Sequence, residues 1–217
     1  MKKKLFCLSI AIIILISCTE DRSVEVNKPI VIDPKSQLIF YWDFNALVGP
    51  STTIQPDFNA SAATATIMYE GTGAGIMEND GTIGYENNIR NNSLAGTLLK
   101  VRNPSDTRNL FFNMPTTGFK KVIVQFATAR SSNTGATIQN YSYTVDGVNY
   151  IQTGLSKITH NTTPDTADLI VLDFSEISTV NDNTNFKVKI DFAGPTVSGT
   201  SGNNRFDNVS LEGIPLP

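Results

Sequence analysis

Leu38-Ile39-Phe40-Tyr41-Trp42-Asp43-Phe44 places Phe40, Trp42 and Phe44 on one face of an extended chain, because side chains alternate with a period of two. Three large rings in that phase belong to the buried side of a strand. The same reading recurs downstream. Ala62 to Glu70, Leu98 to Arg102, Leu110 to Met114, Leu169 to Phe174, Phe186 to Phe192 and Phe206 to Leu211 are β-leaning runs. Lys121-Val122-Ile123-Val124-Gln125-Phe126 is rich in β-branched residues and belongs deep in a sheet. Tyr141-Ser142-Tyr143-Thr144-Val145 alternates as well. Asp146-Gly147 then separates it from Val148-Asn149-Tyr150-Ile151, which predicts a type I′ hairpin.

Clusters of Asn, Thr, Gly and Pro separate these runs, and no long stretch has helical spacing. Many short strands joined by polar turns predict an all-β chain: one antiparallel β-sandwich of jelly-roll type over residues 37–217. Its last strand is expected to lie beside its first.

The N-terminal segment has a different character. Met1-Lys2-Lys3-Lys4 is basic, and Leu5 to Ile16 is apolar but shorter than the ~20 residues that cross a bilayer as a helix. Leu15-Ile16-Ser17-Cys18 then closes the run with a small residue before a cysteine. This is the pattern of a bacterial lipoprotein signal: residues 1–17 are expected to be cleaved and Cys18 acylated. Residues 18–36 form a polar tether interrupted by Pro29 and Pro34. The expected location is the bacterial envelope, on the outer membrane, anchored through palmitate and its companion chains.

Removing the signal takes three lysines and leaves 14 basic against 20 acidic side chains. With no run of Lys or Arg, nucleic acid is not an expected partner. Cys7 and Cys18 are the only cysteines, so the sandwich is expected to stand without a disulfide.

The chemistry-bearing residues are sparse. Gly71-Thr72-Gly73-Ala74-Gly75 is not followed by a helix pattern and reads as a loop rather than a phosphate cradle. His160 is the lone histidine, and no Gly-x-Ser-x-Gly elbow accompanies it. Asp173 and Glu176 sit at a strand end. No catalytic residue is assigned. Asp43 and Asp207, on the first and last strands, are candidates for a structural calcium clamp. Among Tyr41, Tyr85, Tyr141, Tyr143 and Tyr150, Tyr85 is the expected exposed ring for stacking on a sugar.

Phe40-Tyr41-Trp42-Asp43-Phe44-Asn45, Thr144-Val145-Asp146-Gly147, Leu172-Asp173-Phe174-Ser175-Glu176-Ile177, Asn181-Asp182-Asn183-Thr184-Asn185-Phe186 and Gly202-Asn203-Asn204-Arg205-Phe206-Asp207-Asn208-Val209-Ser210-Leu211-Glu212-Gly213 together have a family character. The chain resembles jelly-roll β-sandwich modules, galactose-binding-like or carbohydrate-binding, of secreted and surface proteins of Gram-negative bacteria. The resemblance implies a non-catalytic module that binds glycan, and matches Asp207 to a terminal-strand calcium ligand. A structural or assembly lipoprotein that binds another envelope protein is the alternative, with a hydrolase third.

Overall fold

Phe40, Trp42 and Phe44 are fully buried on one face, as their spacing predicts, while Tyr41 and Asp43 point the other way. The computed structural model describes residues 33, 35–71, 76–81 and 84–217. Cys18, the signal segment and residues 18–32 of the tether lie outside them. The strands are β1 (Gln37–Trp42), β2 (Thr53–Ile54), β3 (Phe58–Asn59), β4 (Thr66–Tyr69), β5 (Met77–Asn79), β6 (Leu99–Arg102) and β7 (Asn109–Asn113). They continue with β8 (Phe119–Arg130), β9 (Ile138–Thr144), β10 (Thr159–Asn161), β11 (Asp168–Asp173), β12 (Lys187–Ala193) and β13 (Asn203–Pro215). Ser178–Val180 forms a single 3-10 turn.

Two antiparallel sheets result. Sheet A runs β11-β8-β13-β1-β3, with β6 pairing the start of β13 and β5 pairing β6. Sheet B runs β10-β9-β12-β7-β4-β2. The first and last strands are neighbours as expected, Trp42 standing opposite Val209. Alternation explains the rest of the core. Val122, Val124 and Phe126 of β8 and Phe206, Val209 and Leu211 of β13 face Leu110 and Phe112 of β7 and Tyr141 and Tyr143 of β9. The sheets meet through edge-to-face rings, with Phe112 and Phe126 5.4 Å apart and Phe126 and Tyr141 6.0 Å apart. A second cluster joins Tyr143, Phe174 and Phe186 at 4.9 to 6.5 Å.

The Asp146-Gly147 hairpin is corrected by the structure. A type I′ turn needs positive φ at both central residues, and only Gly147 has it, at 84°. Asp146 instead turns its carboxylate onto the following amides, which builds a longer loop. Val148 to Ile151 therefore forms no strand. Ile151 keeps one bridge to Tyr143.

Candidate functional site

The residues of sheet B that miss the core form an ordered outer face. On β7, Leu110 and Phe112 point inward, so Phe111 points out between Asn109 and Asn113. The register then sets three rows across the strands. Met68, Phe111, Lys189 and Ser142 make the middle row. Thr66, Asn113, Lys187 and Thr144 lie on one side of it, and Asn109, Asp191, Asn140 and Thr159 on the other.

Tyr150 enters this face from the loop after β9. Its ring centroid lies 5.8 Å from that of Phe111, and the Lys189 ammonium stands 5.1 Å from the Tyr150 ring. Both rings are half-buried, and Met68 beside them is exposed. Two lysines, Lys187 and Lys189, and two carboxylates, Glu70 and Asp191, stand on or beside the face. Lys189 Nζ lies 3.1 Å from Asp191 Oδ1, and Asn109 Nδ2 donates to Glu70 Oε2 at 2.9 Å. Burial, followed by the nearby charges of Glu70 and Asp191, raises the Tyr150 phenol above its ordinary pKa. The face thus presents two aromatic rings framed by amides, hydroxyls and charges of both signs.

The outer face of sheet A is used differently. The segment from Gly84 to Thr97 lies across β13 and β1 and is fastened there by side chains. Asn208, at φ 50°, donates through Nδ2 to the Tyr85 and Asn87 carbonyls at 2.6 and 3.0 Å. Its Oδ1 accepts the Tyr41 hydroxyl at 2.5 Å. Asn88 Nδ2 donates to Asn208 O and Ser210 Oγ, and Arg90 pairs with Glu212 at 2.5 Å. Burial pushes the Tyr41 phenol up to about 12.

Asp43 and Asp207 meet under this segment. Burial first, and then the like charge of Asp43, raise the Asp207 carboxyl to about 7. Both carboxylates are committed to the chain's own donors. Asp207 accepts the Tyr85 and Asn208 amides at 2.6 and 2.8 Å. Asp43 accepts the Asn45 amide at 3.0 Å and the Ser93 hydroxyl at 2.5 Å. Calcium takes 6–8 oxygen ligands. Among the described residues no group of three or more His, Cys, Asp or Glu is placed to hold a metal. The pair fits a polar clasp between the terminal strands better than it fits a calcium site.

Tyr85, expected as an exposed ring, is half-buried and its hydroxyl is shielded from solvent. Burial raises its pKa, against the lowering effect of Arg205 beside it. Tyr41, Tyr141 and Tyr143 are buried outright. Of the five tyrosines weighed, Tyr150 is the one standing on an open sheet face. Phe111 escaped the sequence reading altogether, although its phase opposite Leu110 and Phe112 carried the signal.

The residues weighed for catalysis are dispersed. His160 lies on edge strand β10, its Nε2 3.2 Å from Asp168 Oδ2 across the open side of the sandwich, and burial lowers its pKa. Asp173 Oδ1 accepts the Ser175 amide at 2.8 Å, a local turn bond. An open depression of about 360 Å³ lies beside Phe44, Leu47, Pro50 and Ile54. Its carboxylate, Asp57, is turned onto the Asp43 and Phe44 amides at 2.8 and 3.3 Å.

No family model matches the chain, and no curated protein matches it. Solved structures do. The CBM22-1 xylan-binding domain of Xyn10C from Paenibacillus barcinonensis aligns with TM-score 0.50 at 6% identity, covering 84% of this chain and 97% of that one. The CBM22-2 xylan-binding domain of the same Xyn10C gives 0.46 at 13%, covering 80% and 98%. TmCBM27, a carbohydrate-binding module with specific mannan recognition, gives 0.41 at 9%, covering 82% and 98%. At such identities the likeness concerns fold alone, and the fold is the jelly-roll-like β-sandwich of carbohydrate-binding modules.

Proposed function

We propose that this protein is a non-catalytic glycan-binding module whose binding face is the outer side of sheet B, held at a bacterial envelope by lipid on Cys18. The observation that carries the binding reading is the Phe111–Tyr150 pair, half-buried on the outer face of sheet B among amides and hydroxyls. A sugar ring offers apolar C–H faces and a rim of hydroxyls. Aromatic rings match the first, and Asn109, Asn113, Asn140 and Thr66 match the second. Lys187 and Lys189 against Glu70 and Asp191 leave the face without net charge, which favours a neutral polysaccharide over an acidic one.

The test is electrophoretic retardation in native gels containing soluble xylan, galactomannan or another neutral glycan. The native protein is expected to be slowed by at least one. Tyr150→Ala and Phe111→Ala are each expected to weaken that interaction about 30-fold, the roughly 2 kcal/mol of an interface hot spot. Unchanged mobility of the native protein across the neutral panel, with a stable envelope protein co-purifying, would replace this reading by the assembly alternative.

The anchoring part rests on residues 1–18 of the sequence. Cys18→Ser is expected to abolish incorporation of labelled palmitate and to move the protein out of the membrane fraction. Labelled palmitate retained by Cys18→Ser would sink the anchor.

A further inference from the structure

Tyr150 projects from a loop that its sequence neighbours immobilise to an unusual degree. Thr144, fully buried at the end of β9, donates its hydroxyl to Asp146 Oδ1 at 2.8 Å. The same hydroxyl oxygen accepts the amides of Asp146 at 3.3 Å and Gly147 at 3.0 Å. Asp146 Oδ1 accepts the amides of Val148 and Asn149, each at 2.8 Å, and Oδ2 accepts Asn149 Nδ2 at 2.7 Å. One carboxylate thus gathers four donors from Thr144, Val148 and Asn149. On the far side, Ile151 exchanges two backbone bonds with Tyr143, at 2.9 and 2.8 Å. Gln152 Nε2 donates to the Tyr141 carbonyl at 3.1 Å, and the Tyr143 hydroxyl donates to Thr153 O at 2.8 Å. Tyr150 is the residue between these two fastenings.

We infer that Asp146 is a positioning residue for the glycan face: it fixes residues 147–149 as a rigid arm that presents Tyr150 to ligand in its bound orientation. This rests on the reading of the sheet B face as the binding site. The physical advantage is entropic. A loop of this length left free would have to be ordered on binding, and each rotamer-rich side chain immobilised costs part of the affinity. The clamp places that ordering in folding instead. It acts as a carboxylate: its bonds, those from the Asn149 side chain first, hold the Asp146 carboxyl far below the usual range.

The experiment has two readouts on the full chain in detergent micelles. By amide hydrogen exchange, Asp146→Ala is expected to speed exchange at residues 147–150 at least about tenfold, with β9 and β12 unchanged. By gel retardation with the glycan that slows the native protein, Asp146→Ala is expected to weaken binding about tenfold. In the Tyr150→Ala background it should have no further effect, since the clamp acts through that ring. Asp146→Asn, which keeps Oδ1 but opposes an NH2 to Asn149 Nδ2, should fall between. Exchange at residues 147–150 that is unmoved by Asp146→Ala overturns the clamp with no reference to any ligand. Faster exchange with native affinity, or equal losses in both backgrounds, overturns the positioning role. Full binding by Tyr150→Ala itself would instead remove the sheet B face from the proposed function.

Discussion

Phe126→Ala is expected to lower the unfolding free energy by about 4 kcal/mol, the upper range for removing a buried ring. Phe126 lies on β8, the strand between β11 and β13 in sheet A, and is fully buried. Its ring meets Phe112 and Tyr141 from sheet B and Phe206 from its own sheet, at 5.4, 6.0 and 5.9 Å. Three aromatic partners held by two separate sheets cannot collapse together into the space left by alanine. The cavity cost therefore adds to the lost transfer energy. A domain with roughly 5–15 kcal/mol of stability would lose a large fraction of it. In urea the midpoint should fall with the slope unchanged. Phe111→Ala supplies the contrast, because its ring lies on the solvent side of β7 and should cost about 1 kcal/mol or less. A Phe126→Ala midpoint no lower than that of Phe111→Ala would mean that the rings do not form one core between the sheets.

That contrast also shows what was legible in the sequence. Period two separates inward from outward residues, so the phases of Phe40, Trp42 and Phe44, of Tyr141 and Tyr143, and of Leu110 and Phe112 are readable from spacing alone. The adjacency of first and last strands was expected from the closure common to jelly rolls rather than from spacing. The candidate face was readable only in part. Phe111 stood out of phase, but nothing in the chain says that Met68, Lys189 and Ser142 lie in its row. That depends on long-range register, which local spacing does not encode. Tyr150 was one of the five tyrosines considered for stacking, and the other four are taken up by the core or by the segment over sheet A. Asp146-Gly147 misled for a local reason. The dipeptide suits a two-residue turn, yet an aspartate can also bond the amides beyond it, and here four donors favour the longer loop.

Asp207 gives a second large effect, and its sign runs against the usual behaviour of carboxylates in folded proteins. Its side chain is buried between β13 and the segment from Gly84 to Thr97, where desolvation outweighs the two amides it accepts and Asp43 adds like charge. The folded-state pKa is about 7 against an ordinary 3.8. Between those values the folded state holds more proton than the unfolded one, so this group's contribution to stability falls as pH rises through the window. It is most favourable below about 4 and fully lost above about 7, a change on the order of 4 kcal/mol. His160, whose pKa is lowered by burial, contributes in the opposite direction near neutrality. The native profile alone therefore mixes the two, and the difference between native protein and Asp207→Asn isolates the one. A neutral amide resembles the protonated acid in lacking charge at every pH: its Oδ1 accepts one of the two amides, and its NH2 stands where the acid's hydroxyl would face the other. Asp207→Asn is accordingly expected to match the native protein near pH 4 and to exceed it by a few kcal/mol at pH 8, measured by urea unfolding at both. If the variant is instead less stable at pH 8, the carboxylate form is the one the fold prefers. The clasp between the terminal strands would then be ionic, with the amides of Tyr85 and Asn208 outweighing burial.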